Sequence, residues 1–185
     1  MVDLTSGRFW KKAPVRLYKW TPAGILYDPV CPWPSLGRFG SGQHKTLYLA
    51  ETAKGALAEY FRRHPELLSF QTELVISMYE IDLNIQRDCL DLRDLTDQTA
   101  IGASADFLVS TDPDEGLRYA ECRLIAESAV AEGIPGIVYP SAAANWPRAW
   151  NIVFLGEQDD VNWSHIASVL IPCPEMLSSE VHVLA

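Results

Sequence analysis

The chain has 185 residues, 48% of them hydrophobic and 21% charged, with a formal net charge of −9. That length corresponds to one domain spanning 1–185, able to bury a core without disulfide or metal staples. The net negative charge argues against a nucleic-acid partner, because neutralising a phosphate backbone requires a positive face. No apolar run approaches the roughly eighteen residues of a membrane span, and Met1 does not open a signal-peptide pattern, so a cytoplasmic protein without membrane contact is expected.

The charge is unevenly spread. Residues 1–50 carry seven Lys or Arg against two acids, and the remainder carry eight against twenty-two. A basic segment in an acidic chain suits a small anionic ligand better than a polyanion. Cys31, Cys89, Cys122 and Cys173 stand far apart without a C-x-x-C pair, and His44, His64, His165 and His182 are equally scattered. Free thiols and no metal site are expected.

In chain order, Pro14 to Trp20 alternates and reads as a first strand, with Val15, Leu17 and Lys19 on one face and Arg16, Tyr18 and Trp20 on the other. Thr21 to Gly42 is rich in proline and glycine and reads as a long ordered loop, of the kind that forms a lid or a wall. Within it Gly37, Gly40 and Gly42 surround Arg38, whose forked donors suit phosphate or carboxylate. A strand around Thr46 to Ala50 carries Tyr48. A helix from Glu51 or Thr52 to Pro65 carries Glu59, with Ala53, Ala56, Leu57, Tyr60 and Phe61 as its apolar stripe.

Leu74 to Leu83 reads as a strand, Cys89 to Leu92 as a short one, and Asp94 to Pro113 as a loop with a helical turn. Asp112-Pro113-Asp114-Glu115 is a helix start, and the spacing of Leu117, Ala120, Leu124 and Ala131 predicts a helix up to Gly133. Ile137 to Tyr139 and Ile152 to Leu155 read as buried strands. Ser168 to Ile171 and Val181 to Leu184 read as edge strands. Trp10, Trp33, Trp146, Trp150 and Trp163 read as packing residues.

Several of these segments form a pattern together. GRF at 37–39, YLA at 48–50, A-x-x-E ending at Glu59, and YPSAAANWPRAWNIVFLG from Tyr139 resemble the RES-domain family, NAD-degrading toxins of bacterial toxin–antitoxin pairs. The resemblance spans about residues 14–156. It implies an α+β single domain with a curved, split β-sheet flanked by helices, similar to ADP-ribosyltransferases. Position by position, the family's arginine falls on Arg38, its tyrosine on Tyr48 and its glutamate on Glu59, the catalytic set. Its serine falls on Ser141 and its asparagine on Asn151. Where the family carries an arginine followed by a tyrosine, this chain has Lys19 and Trp20. Lys19 keeps the charge but not the bidentate fork, and Arg16 is a rival on the opposite face of the strand.

The implied activity is cleavage of the nicotinamide–ribose bond of NAD, a substrate rather than a cofactor, with inorganic phosphate or water as acceptor. Arg38 and Lys19 would hold the pyrophosphate. Tyr48 and Trp20 would confine the nicotinamide, and Ser141 and Asn151 would hydrogen-bond ribose or phosphate oxygens. The implied partner is a small helix-turn-helix antitoxin that occludes the cleft; homo-oligomer formation is left open. Two alternatives stand beside this reading: transfer of ADP-ribose to a protein on the same fold, and a non-catalytic nucleotide-binding module, for which the Lys19 and Trp20 departures are the support.

Overall fold

The structure, a computed structural model, describes residues 1–10, 14–23, 28, 30–65, 67, 74–85, 87–104, 108, 115–143, 149–156 and 161–171. Among these, nine strands and three helices form an α+β domain: β1 (Arg8–Trp10), β2 (Pro14–Pro22), β3 (Trp33–Pro34), β4 (Lys45–Ala50), α1 (Ala53–Arg63), β5 (Leu74–Asn84), β6 (Cys89–Asp91), α2 (Leu95–Ala100), α3 (Glu115–Ala131), β7 (Gly136–Pro140), β8 (Trp150–Leu155) and β9 (Val161–Ile171). None of the described helices is long and apolar enough to cross a membrane. One open sheet runs in the order β1-β6-β7-β8-β4-β2-β5-β9, with β3 attached to β4 off that path. The β6–β7 pair is parallel, its crossover carrying α2 and α3, while the other pairs are antiparallel.

Register divides the side chains between two faces. Val138, Ile152, Phe154, Leu47, Leu49, Leu17 and Ile81 share a core on one face. On the other, Ile137, Tyr139, Val153 and Leu155 pack with Cys122, Ile125, Ala126 and Ala129 of α3. On this same face Tyr60 and Phe61 of α1 pack on Ile76 of β5, with Trp20 of β2 against them. The helical side of the sheet therefore carries two separate cores, one under α3 and one under α1.

Local chemistry sets the helix ends. Thr52 is the extended N-cap of α1, its hydroxyl accepting from Gly55 N–H at 3.0 Å, and Asp94 caps α2 through Thr96 N–H at 2.8 Å. Arg62 and Arg63 occupy the last turn of α1, where cations complement the carbonyl end of the helix.

The sequence reading and the structure part in three places. β1 and β3 are too short to show a periodic pattern. The expected strand at 168–171 is the end of an eleven-residue edge strand, β9, paired with β5 from Leu83↔Val161 to Leu74↔Ile171. The helix start at 112–114 and the strand at 181–184 lie outside the described residues. Finally, Ala120, Leu124 and Ala131 of the stripe read for α3 lie on its solvent side, Leu124 being 45% exposed, whereas Tyr119, Cys122, Ile125, Ala126 and Ala129 are buried. The helix is apolar on more than one side, so spacing alone did not single out the buried one. Ile125→Ala should accordingly cost about 2–5 kcal/mol and Leu124→Ala less than about 0.5 kcal/mol, as read from denaturant midpoints; the reverse order would contradict this packing.

Candidate active site

The site is built where the sheet opens. One edge of β4 pairs with β8 from Thr46↔Leu155 to Ala50↔Asn151. Its other edge pairs with β3 at Trp33↔Thr46 and Pro34↔Lys45, and with β2 only at Tyr18↔Ala50. From Lys19 to Pro22, β2 stays on β5 and leaves β4. A cavity of about 310 Å³ occupies this split, floored by Tyr48, Ala50, Tyr139 and Asn151, and walled by Lys19 and Trp20 of β2, Trp33 of β3, and Glu59, Tyr60, Arg63 and His64 from α1 and its end. Its size lies at the small end of the range for small-molecule sites.

Glu59 is held on both oxygens. Oε1 accepts from Ser141 Oγ at 2.9 Å and from Asn151 Nδ2 at 2.7 Å, and Oε2 accepts from Arg62 Nε at 2.9 Å. Burial works to raise its pKa, but the Arg62 guanidinium and the Ser141 hydroxyl outweigh it and leave the carboxyl below its ordinary value. Glu59 is therefore an ionised carboxylate in a largely dry place, fixed by residues from α1, β8 and the end of β7.

Tyr48 is fixed by the turn before it. Phe39 N–H donates to the phenolic oxygen at 3.0 Å, and a Cβ at Gly37 would stand 2.8 Å from that oxygen. Of the three glycines around Arg38, only Gly42 has a positive φ, 77°. Gly37 is needed because the tyrosine lies against its Cα, and Gly40 because a Cβ there would meet the Ser35 carbonyl oxygen at 2.2 Å. Burial raises the Tyr48 pKa, so the phenol stays neutral, and the Arg63 guanidinium lies 4.6 Å from the ring centroid.

The predicted residues are thus distributed unevenly. Lys19, Trp20, Tyr48, Glu59 and Asn151 line the cavity, and Ser141 sits behind the carboxylate it holds. Trp20 is anchored by its indole N–H to the Ala53 carbonyl at 2.9 Å. Arg38 is not among the described residues lining the cavity; it is 3% exposed and its guanidinium lies 5.2 Å over the Tyr119 ring of α3. Arg16 is engaged on the surface with Asp82 and Glu80. Sequence reasoning missed Arg62 and Arg63; the available signal was their position three and four residues after Glu59 on one helix face. It also missed Tyr139, and Trp33, read as a packing residue, is 72% exposed at the cavity mouth. Burial pushes the thiols of Cys89 and Cys122 up to about 12 and about 11, outside the reactive range. Cys173 and His182 lie outside the described residues.

The fold and cavity together define an α+β domain whose cavity is lined by the braced Glu59 carboxylate together with the cationic Lys19 and Arg63. The family model for the RES domain matches residues 13–171, and the chain belongs to that family. No curated protein matches it. Among solved structures, a chain of the M. tuberculosis MbcT–MbcA toxin–antitoxin complex superposes with a TM-score of 0.68 at 17% identity, over 92% of this chain and 91% of that one. At this identity the likeness is one of fold.

Lys19 gives the site a pH signature. Burial lowers its pKa to about 8, Arg63 adding to the effect. The folded state then binds fewer protons than the unfolded chain between pH 8 and the ordinary lysine value of 10.5, so stability rises with pH across that window, and the protonated ammonium is a burden below it. Lys19→Met should stabilise the ligand-free protein at pH 7 by on the order of 1 kcal/mol, with the difference shrinking toward pH 10; a gain that does not change with pH in urea melts would show that packing, not charge, is responsible.

Proposed function

We propose that this protein is the toxin of a toxin–antitoxin pair and consumes NAD by cleaving its nicotinamide–ribose bond, on an ADP-ribosyltransferase-like fold. The observation that carries the reading is the ionised Glu59 carboxylate, braced by Ser141, Asn151 and Arg62 in a cavity whose wall also carries Lys19 and Arg63.

The chemistry needs little acid catalysis. The bond between the ribose C1′ and the pyridinium nitrogen breaks with its electron pair going to nitrogen, so nicotinamide leaves neutral and the ribose passes through an oxocarbenium-like state. Phosphate or water then forms the new bond to C1′, water releasing one proton. The enzyme contributes position and a charge worth more in the transition state than in the ground state. Glu59 is suited to this: its hydrogen bonds fix it before the reaction, and one acceptor site remains on Oε2 for a ribose hydroxyl. Lys19 and Arg63 hold the pyrophosphate, while Tyr48 and Trp20 confine the nicotinamide. Arg38 acts through the turn: stacked on Tyr119, it supports the segment whose Phe39 amide fixes Tyr48. Trp33, exposed beside the cavity, fits a partner that covers the mouth, in keeping with a helix-turn-helix antitoxin.

Glu59→Gln keeps the size of the side chain and removes its charge. It should lower nicotinamide release from NAD by about a hundredfold to a thousandfold, and following release with and without inorganic phosphate identifies the acceptor. Wild-type protein that binds NAD without releasing nicotinamide would overturn the enzymatic reading, and release coupled to labelling of a protein would redirect it to protein modification. A phosphate anion beside Lys19 should raise its pKa, so NAD or ADP-ribose binding at pH 8 should take up protons, measured by calorimetry in buffers of different ionisation enthalpy.

A further inference from the structure

The strand register lines up four residues across the helical face of the sheet: Tyr139 is opposite Asn151, Asn151 opposite Ala50, and Ala50 opposite Tyr18. All four line the cavity. The row is polar at Tyr139 and Asn151 and low at Ala50, a trough beside the Glu59 carboxylate.

Two polar side chains in this trough keep an atom without a hydrogen-bond partner among the described residues. The Tyr139 side chain is 5% exposed, its ring packs on Phe39 with centroids 4.8 Å apart, and its hydroxyl makes no hydrogen bond among the described residues. Asn151 is 3% exposed; its Nδ2 donates to Glu59, while its Oδ1 has no partner among the described residues. Buried polar atoms left unpaired cost stability, and natural structures keep few of them. Asn151 Oδ1 is such an atom, and it and the Tyr139 hydroxyl belong to residues that line the cavity, next to a carboxylate whose Oε1 already accepts two hydrogen bonds and whose Oε2 accepts one.

We propose that Tyr139 is a further substrate-contacting residue, its phenol donating to a hydroxyl of the ribose diol that Glu59 Oε2 and Asn151 Oδ1 accept from. This inference rests on the NAD-consuming reading and deepens it by naming the part of the substrate that the trough takes. A vicinal diol supplies two O–H donors, matching two acceptors, and oxygen lone pairs, matching one donor. A phosphate or carboxylate supplies acceptors only and would be repelled by Glu59. The trough thus selects a neutral hydroxyl pair and leaves the phosphates to Lys19 and Arg63, which fixes the direction in which the substrate lies. Burial and the neighbouring Glu59 charge both raise the Tyr139 pKa and keep the phenol in its donating form.

The test is Tyr139→Phe, which keeps the ring on Phe39 and removes only the hydroxyl. Because that hydroxyl bonds no described residue, the melting temperature should be unchanged, while kcat/KM for nicotinamide release from NAD should fall about tenfold. With NAD analogues lacking the 2′ or the 3′ hydroxyl of the nicotinamide-side ribose, the effect of the substitution should vanish for at least one. Activity equal to wild type would overturn the proposal alone, since wild-type turnover would still stand. A lowered melting temperature with the same loss on NAD and both analogues would assign the hydroxyl a structural role and overturn it too. Wild-type protein that neither binds NAD nor releases nicotinamide would remove the functional reading and this inference together.

Discussion

A strand has two edges, and in β4 one of them serves two partners. Five residues, Thr46 to Ala50, pair with β8 on one side, while on the other β3 takes the first two positions and β2 the last. Antiparallel pairing sends alternate residues' amide and carbonyl groups to opposite edges. Thr46 and Ala50 therefore spend theirs on β3 and β2, and Tyr48, between them, faces a stretch where β2 has already left. The cavity follows from this topology. It also explains why the helical face carries two cores: α1 covers the β2–β5 side and α3 the β7–β8 side, with the split between them.

Into that split the fold places a carboxylate that could not stay charged there alone. Moving Glu59 out of water opposes ionisation, and the opposing contributions come from Arg62 and Arg63 one turn along the same helix and from Ser141 after β7, while Asn151 on β8 donates a further hydrogen bond. Truncating a single partner of a buried charge leaves the other uncompensated, which costs more than the pair itself contributes. The carboxylate is thus a joint between α1 and the β7–β8 hairpin as well as the proposed catalytic group. Its geometry is determined before any ligand arrives, the condition under which a fixed charge is most effective at a developing cation.

Much of this arrangement was legible in the sequence because it rests on local signals. Thr52 before an amphipathic run, alternation at 14–20, and apolar blocks at 137–139 and 152–155 each specify an element by themselves. Tyr48, Glu59, Ser141 and Asn151 were singled out through short motifs, and the structure joins Glu59 to the last two directly. What stayed hidden is of two kinds. β3 is two residues long, so its existence depends on β4 and not on its own pattern. The placement of Arg38 depends on Tyr119 of α3, 81 positions away in sequence, which no local reading contains. The α3 stripe failed for a third reason: alanine and leucine on several sides of a helix give spacing no single answer, and only the partner surface selects Ile125 over Leu124. Tyr139 was legible as a strand residue; its unpaired hydroxyl was not, because pairing belongs to the folded surroundings.

The charge pattern gains its meaning from the same geometry. A chain with a net charge of −9 should repel an anionic metabolite at long range, yet salt limits that repulsion to about 8–10 Å, and inside the cavity the local balance decides. There Lys19 and Arg63 stand close enough for one to depress the pKa of the other, so an anion between them removes a like-charge repulsion as well as adding two attractions. Glu59 lies on the same cavity wall as Arg63, four residues earlier on α1, with its negative charge partly neutralised by Arg62. A molecule that is anionic at one end and becomes cationic at the other during reaction is matched by such a site in only one direction. That polarity, rather than the affinity of any single contact, is what supports the proposed breaking of a glycosidic bond beside a pyrophosphate in a split sheet with a cationic wall and a braced carboxylate.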